Sequence, residues 1–270
     1  MTPLELTILA ALGLVAGLLG GMLGIGGSLL MIPALAIVLD PPQGTNQHLY
    51  QAAAMIVNVF VALPATVQHW RAGAVRWDVA TKMMPFALIT ILLGVYASNL
   101  FDGTALRKMF GAFLIYVIVF NLVRLITRRE EPAASLHRTG WIAMGSVGTV
   151  MGSLAGLLGI GGGVIVVPLL QRIGNLPLRQ CVATSSATMV ITAIIGATMK
   201  NATLSQHLDV KTGDAAEISA SLLIAAMLTP TAFIGGMLGA KLTHILPLHW
   251  VRLALIVLLI WASAKMLGIM

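Results

Sequence analysis

Eight apolar stretches of this chain carry no charged side chain: Leu6 to Leu39, Leu49 to Gln68, Met83 to Phe101, Met109 to Val123, Thr139 to Gln171, Gln180 to Met199, Ile218 to Ala240 and Leu253 to Ala264. Most approach or exceed the roughly 20 residues that a helix needs to cross the hydrocarbon of a bilayer. The two shortest are flanked by Lys108, Arg124, Arg252 and Lys265, whose heads can snorkel to the interface. The pattern predicts an all-α, polytopic membrane protein.

Two of these runs, Leu6 to Leu39 and Thr139 to Gln171, are too long for one ordinary span and too short for two. Glycine is dense near the middle of each, as Gly24, Gly26 and Gly27 in the first and Gly159, Gly161, Gly162 and Gly163 in the second. Helix geometry fails where glycine is dense, so each run predicts two helical pieces separated by a break, either within one crossing or as a re-entrant hairpin. Such a break at membrane depth must be buried in protein or line a wet cavity.

The two runs also resemble each other. Gly17-Leu18-Leu19-Gly20-Gly21 through Pro33 is answered by Gly152-Ser153-Leu154-Ala155-Gly156 through Pro168, an offset of 135 in a chain of 270 residues. Pro85, Gly94 and Arg107 match Pro230, Gly239 and Arg252 at an offset of 145, which places an insertion of about ten residues near Asn201 to Glu217. The expected organisation is two homologous repeats of about four helical segments each, residues 1–126 and 140–270. A basic linker at 127–139, with Arg128, Arg129, Glu130, Glu131 and Pro132, joins them. Single crossings would give four spans plus four; re-entrant hairpins would give three plus three in inverted repeats. The inverted arrangement is favoured because it brings both glycine breaks to one midplane site.

Composition narrows the class further. At 58% hydrophobic and 9% charged residues, with mean hydropathy +0.96, the chain has too little polar surface for a soluble globule. The first run lacks a basic leader and continues through the repeated motif, so it reads as part of the mature fold. The net charge of +7 lies in loops between apolar runs, which suits membrane orientation and not nucleic acid. One cysteine, Cys181, excludes an internal disulfide framework and a multi-cysteine metal site, and reads as a small buried apolar residue. His244 and His249 are five apart and share no helical face, so no metal or other cofactor is expected.

The candidate chemistry lies at the breaks. A glycine break that opens a new helix presents backbone N–H groups and the positive end of a helix dipole, which attract an anion. Ser28 and Gly163 occupy equivalent places at the start of the second pieces. The outer glycines, Gly13/Gly17/Gly21 and Gly148/Gly152/Gly156, have the four-residue spacing of close helix packing. The following spans carry Gln51 and Asn58 in the first half and Thr184, Ser185, Ser186 and Thr188 in the second. Amides and hydroxyls donate to an anion without burying a full charge, although hydrogen bonding between helices is the blander reading for any one of them. Neither glycine cluster is a nucleotide motif, since no Lys-Ser or Lys-Thr follows and no final glycine completes a dinucleotide fingerprint.

His69, Arg71, Lys200 and Lys241 stand at span ends, where snorkelling is the ordinary reading. No Asp or Glu lies within a span, so the usual intramembrane proton carrier is missing; a proton would have to ride on the substrate or on a histidine such as His48 or His69.

Gly156 to Gly163 with Pro168, the Ala183-Thr184-Ser185 segment, and His69-Trp70-Arg71-Ala72-Gly73-Ala74-Val75 resemble the sulfite exporter TauE/SafE family, the TSUP permeases. The resemblance covers nearly the whole chain. It implies a bacterial-type inner-membrane permease, not an enzyme, for a small sulfur-containing anion such as sulfite, thiosulfate or an organosulfonate. The first half departs from the pattern with Ser28 for the last glycine and Ala52-Ala53-Ala54 for Ala183-Thr184-Ser185. The expected site is built from Gly24, Gly26, Gly27, Ser28, Gln51 and Asn58 with Gly159, Gly161, Gly162, Gly163, Thr184, Ser185 and Ser186. The expected partners are the small anion and the lipid bilayer, with no nucleic acid; a homo-oligomer is compatible with the sequence. A channel or uniporter for another small solute is the rival reading, favoured by the absence of buried carboxylates. A membrane enzyme or assembly subunit is disfavoured, since no nucleophile-base pair and no large soluble loop is present.

Overall fold

Lipid offers backbone groups no partner, so an apolar chain of this kind must close its hydrogen bonds within helices. The computed structural model describes residues 3–39, 46–127, 139–204, 214–245 and 248–267. Among them are ten helices and no strand: α1 Pro3–Leu23, α2 Ser28–Val38, α3 Gln47–Arg71, α4 Trp77–Ser98, α5 Gly103–Thr127, α6 Trp141–Leu158, α7 Gly163–Arg172, α8 Leu178–Ala202, α9 Asp214–Leu242 and α10 Leu248–Met266. The 127–139 linker falls almost wholly outside the described residues, as does most of the polar loop at 201–217.

Seven helices (α1, α3, α4, α5, α6, α8 and α9) are long and apolar enough to cross a membrane. By contrast α2 and α7, of 11 and 10 residues, can reach only about half of a core ~30 Å thick at about 1.5 Å per residue. Both long apolar runs are interrupted at their glycines: α1 stops at Leu23 and α2 starts at Ser28, while α6 stops at Leu158 and α7 starts at Gly163. The interruption has a backbone cause, since Gly24, Gly26, Gly159, Gly161 and Gly162 all hold positive φ between 66° and 80°.

Close approaches at the outer glycines set the helix directions. A Cβ on Gly13, Gly17 or Gly21 would strike the backbone of Leu228, Ala232 or Gly236 in turn, so α1 and α9 run parallel. Gly148, Gly152 and Gly156 meet Met83, Ala87 and Ile91 in the same way, so α6 runs parallel to α4. The packing reading of these outer glycines therefore describes them. The central helices α3 and α8 are antiparallel, because Lys200 near the end of α8 bonds His48 near the start of α3, while Arg76 just after α3 bonds Thr184 near the start of α8.

These directions decide what the breaks do. The His69 ring near the end of α3 lies 3.4 Å from the Gly21 carbonyl near the end of α1, yet α3 begins at the opposite end. The α2 stretch that follows the break must therefore return the way α1 came. In the same way α6 follows α4 toward the end where Ser98 meets Lys200, while α8 starts at the other end, so α7 returns. Each long run goes out and comes back.

The outer surface is apolar as a bilayer requires. On α4, Phe86, Ile89, Leu93 and Tyr96 form one exposed stripe at helical spacing, while Met83, Ala87, Ile91 and Gly94 face inward. Because the α1–α9 contact is backbone to backbone, Gly17→Leu is expected to cost at least the 1–3 kcal/mol typical of overpacking. Thermal melting in detergent checks this against Gly140→Ala, whose added methyl meets nothing within 4 Å. Equal melting temperatures for the two variants would refute the packing assignment.

Candidate functional site

The two breaks meet beside the middle of α3. A Cβ on Gly26 would lie 2.8 Å from Asn58 Oδ1 and 2.9 Å from the Met189 sulfur, and one on Gly161 would lie 2.8 Å from that sulfur and 3.0 Å from Asn58 Nδ2. Asn58 and Met189 thus stand between the breaks. Around them, Gly24 packs on Val182 and Gly159 on Gln51, while Gly163 abuts the backbone of Gly24 and Ile25.

Asn58 is fully buried and makes three bonds to the first break. Its Oδ1 accepts from the N–H of Gly27 at 2.9 Å and of Ser28 at 3.1 Å, and its Nδ2 donates to Ser28 Oγ at 2.9 Å. The α2 N-terminus has no side-chain cap of its own, so Asn58 supplies one from another helix. The amide oxygen occupies the position where two converging N–H groups and a helix dipole would hold an anion.

The second break is capped differently. In α7 the N–H groups of Ile165 and Val166 return to the Gly162 carbonyl at 3.3 Å, whereas those of Gly163 and Val164 have no acceptor among the described residues. Two N–H groups at a helix start are left there, buried beneath Gly24 and Ile25.

The polar residues of α8 point three ways, as consecutive helix positions must. Ser185 donates to the Gly24 carbonyl at 2.8 Å and ties α8 to the first break. Thr184 turns away and accepts from the Arg76 N–H at 3.1 Å in the α3–α4 loop. Ser186 is buried with its hydroxyl unpartnered, and so is Gln51, whose amide nitrogen and oxygen both lack a partner. An unmet buried polar group costs about 1–3 kcal/mol, so Gln51 and Ser186 hold unused hydrogen-bonding capacity beside the breaks. Thr188 closes back onto the Thr184 and Ser185 carbonyls and offers nothing.

Nearby, Leu23, Ile25, Val164, Val182 and Leu255 line a crevice. Its polar lining residue, Asn121, donates back to the Val117 carbonyl at 2.8 Å. Cys181 is buried, with its thiol 3.4 Å from the Leu176 carbonyl.

Two further clusters stand at the ends of α3, and both differ from the snorkelling expected of His69 and Lys200. Lys200 is 1% exposed and His69 is 0% exposed, because each finds polar partners on other helix ends. Lys200 bonds His48, Ser98 and Asn99; His69 lies 3.2 Å from His244 and faces the Gly21 carbonyl. Burial and the neighbouring Arg179 hold His244 below the usual histidine range. Arg71 and Lys241 are exposed.

Residue by residue, the expected site is gathered in part. Gly24, Gly26, Gly27, Ser28, Asn58, Gly161, Gly163 and Ser185 come together, and Gln51 and Gly159 adjoin each other at their edge. Gly162 caps α7, and Thr184 belongs to the loop contact. Met189 is not among the expected site residues, because a thioether in an apolar span looks like filling. Its signal was positional: aligning Ala52-Ala53-Ala54 with Ala183-Thr184-Ser185 sets Asn58 opposite Met189.

Residues 9–266 match the family described as Sulfite exporter TauE/SafE. A probable membrane transporter protein MamO of Paramagnetospirillum magneticum is 24% identical over 89% of this chain, which spans only 41% of that relative's length. The probable membrane transporter protein YunE of Bacillus subtilis is 25% identical over 89% of each chain. A probable membrane transporter protein of Xylella fastidiosa is 30% identical over 68% of this chain and 70% of its own length. No solved structure matches.

Proposed function

Because this chain belongs to the sulfite exporter TauE/SafE family, of multi-pass membrane transporters and not enzymes, we propose that it is a permease for a small sulfur-containing anion such as sulfite, thiosulfate or an organosulfonate. The observation that carries the proposal is the Asn58 amide oxygen seated on the paired N–H groups of Gly27 and Ser28, between two broken elements. An oxyanion offers several such oxygens and would take the place of that one, and Gln51 Nε2 and the Gly163 N–H are unpartnered donors at the second break. None of these groups carries a charge, so binding stays modest and release remains open.

Alternating access follows from the same parts. The helix contacts recur at matched positions: Gly13, Gly17 and Gly21 against 228, 232 and 236, and Gly148, Gly152 and Gly156 against 83, 87 and 91. These pairs differ by the offsets of 135 and 145 that relate the two halves of the sequence, which supports inverted repeats at 1–126 and 140–270 on either side of the 127–139 linker. Rocking one set of helices against the other would expose the paired breaks to each side in turn.

Labelled sulfite flux in vesicles tests the site. Gly161→Leu, which drives a side chain into Asn58 and Met189 from a left-handed backbone, is expected to lower flux at least tenfold, and Ser185→Val about threefold through loss of one hydrogen bond worth about 0.5–1.5 kcal/mol. Flux at the wild-type rate in both, with normal expression, would dismiss the site. Flux that shows no counterflow would favour a channel.

A further inference from the structure

Lys200 is the one lysine buried to 1% exposure among the described residues, and the anion site above makes no use of it. Its ammonium faces His48 Nδ1 at 2.8 Å, Asn99 Oδ1 at 3.2 Å and the Ser98 hydroxyl, with no carboxylate among these partners. His48 is held on its other side as well, its Nε2 lying 3.0 Å from the Phe101 carbonyl oxygen.

That second contact assigns the protons. A carbonyl only accepts, so Nε2 carries the hydrogen, and Nδ1 of the neutral ring keeps its lone pair for Lys200. The two bases therefore share one proton in this geometry. A second proton on Nδ1 would set two donors face to face at 2.8 Å, and the contact would have to open. Of the charged side chains described on the neighbouring elements α4 and α5, Asp102 is exposed and caps its own helix through the Ala105 N–H at 2.8 Å, while Arg107 donates to the Lys265 carbonyl at 3.5 Å. Neither compensates Lys200.

The position of the pair gives this chemistry a consequence. It ties the end of α8 and the end of α4 to the start of α3, and α3 and α8 carry Asn58, Gln51, Ser185 and Met189. Separation of α3 from α8 at this mouth must break the Nζ–Nδ1 contact, so protonation and opening bias each other. We propose that the His48–Lys200 pair is the binding site of the coupling proton, holding one proton when this mouth is closed and taking a second when it opens. Nδ1 accepts that proton with its lone pair, and no electron transfer or other bond change is involved. The proposal rests on the permease reading, and gives the apolar spans a buried proton carrier.

Two measurements test it, the first without any anion. Full-length protein labelled with 15N-histidine in micelles at neutral pH is expected to show His48 as the Nε2–H tautomer, with an Nδ1 resonance that moves in Lys200→Met. A protonated or Nδ1–H ring, or an Nδ1 signal indifferent to Lys200→Met, overturns the proposal. The second uses proteoliposomes clamped at zero potential with 35S-thiosulfate, an anion that stays ionised near neutrality and carries no proton of its own. One coupled proton per cycle makes a one-unit pH gradient support about tenfold accumulation, since tenfold is about 1.4 kcal/mol. Wild type is expected to approach that ratio, while Lys200→Met and, independently, His48→Gln equilibrate the anion without concentrating it. Wild type that exchanges thiosulfate yet ignores the gradient, or variants that accumulate it as wild type does, overturns the proposal. Wild type that moves no thiosulfate at all counts against the substrate class, and the histidine spectra then decide the proton site alone.

Discussion

Asn58→Asp is expected to abolish anion flux while leaving the protein folded. A carboxylate at this position keeps both bonds from the Gly27 and Ser28 N–H groups, now 2.9 and 3.1 Å from the amide oxygen, and the Ser28 hydroxyl can turn to donate where it had accepted. A tethered anion then sits on the helix start with the effective concentration of an intramolecular group, and a free oxyanion must displace it. Asn58→Leu separates the structural share of the effect. It leaves two N–H groups and a hydroxyl buried without partners, at about 1–3 kcal/mol each, so it is expected to lower the melting temperature as well as flux. The checks are labelled sulfite flux in vesicles and thermal melting in detergent. Wild-type flux in Asn58→Asp would show that the amide oxygen is a cap and nothing more.

Why Asn58 rather than Gln51 leads here was not legible from residue types. Both are amides in one apolar span, and only the fold shows that Asn58 reaches across to cap α2 while Gln51 is turned to Gly159 without a bond. What the sequence did carry was backbone information. Glycine at three of four consecutive positions inside an apolar run predicts a break, and positive φ at Gly24, Gly26, Gly159, Gly161 and Gly162 is that break in the backbone. The four-residue glycine spacing likewise announced close helix contact, though it could not name α9 and α4 as the partners.

Tertiary context decided the rest. Lys200 and His69 stand at helix ends, where a side chain of that kind ordinarily reaches water. Whether it does depends on which other helix end lies beside it, and His48, Ser98 and Asn99 are 152, 102 and 101 residues from Lys200 along the chain. No local pattern could have joined them. Thr184, Ser185 and Ser186 show the opposite case: helical geometry alone requires them to diverge, and they do, toward Arg76, toward Gly24 and toward no partner.

The same contacts make Gly163→Ala the second large effect to expect. In a free helix the change would be favourable, since alanine gains about 1 kcal/mol over glycine. Here the new methyl would stand 2.8 Å from Ile25 Cα and 3.1 Å from the Gly24 carbonyl carbon, and closer still to the Gly24 oxygen. Those are backbone atoms, and the Ser185 hydroxyl at 2.8 Å holds that same carbonyl in place, so the loop cannot slide aside without losing a buried bond. Packing therefore outweighs propensity, with a cost of at least the 1–3 kcal/mol of an overpacked core. It also accounts for the difference between Ser28 and Gly163, which the proposed repeats place in equivalent positions: Ser28 meets an amide that bonds its hydroxyl, whereas Gly163 meets the other break's main chain. Sulfite flux is expected to fall at least tenfold and the melting temperature to drop in Gly163→Ala, with Gly163→Ser no better despite restoring the hydroxyl of the first half. Recovery of flux in Gly163→Ser would mean that the position calls for a hydroxyl ligand, and that contact between the two breaks is not what requires glycine there.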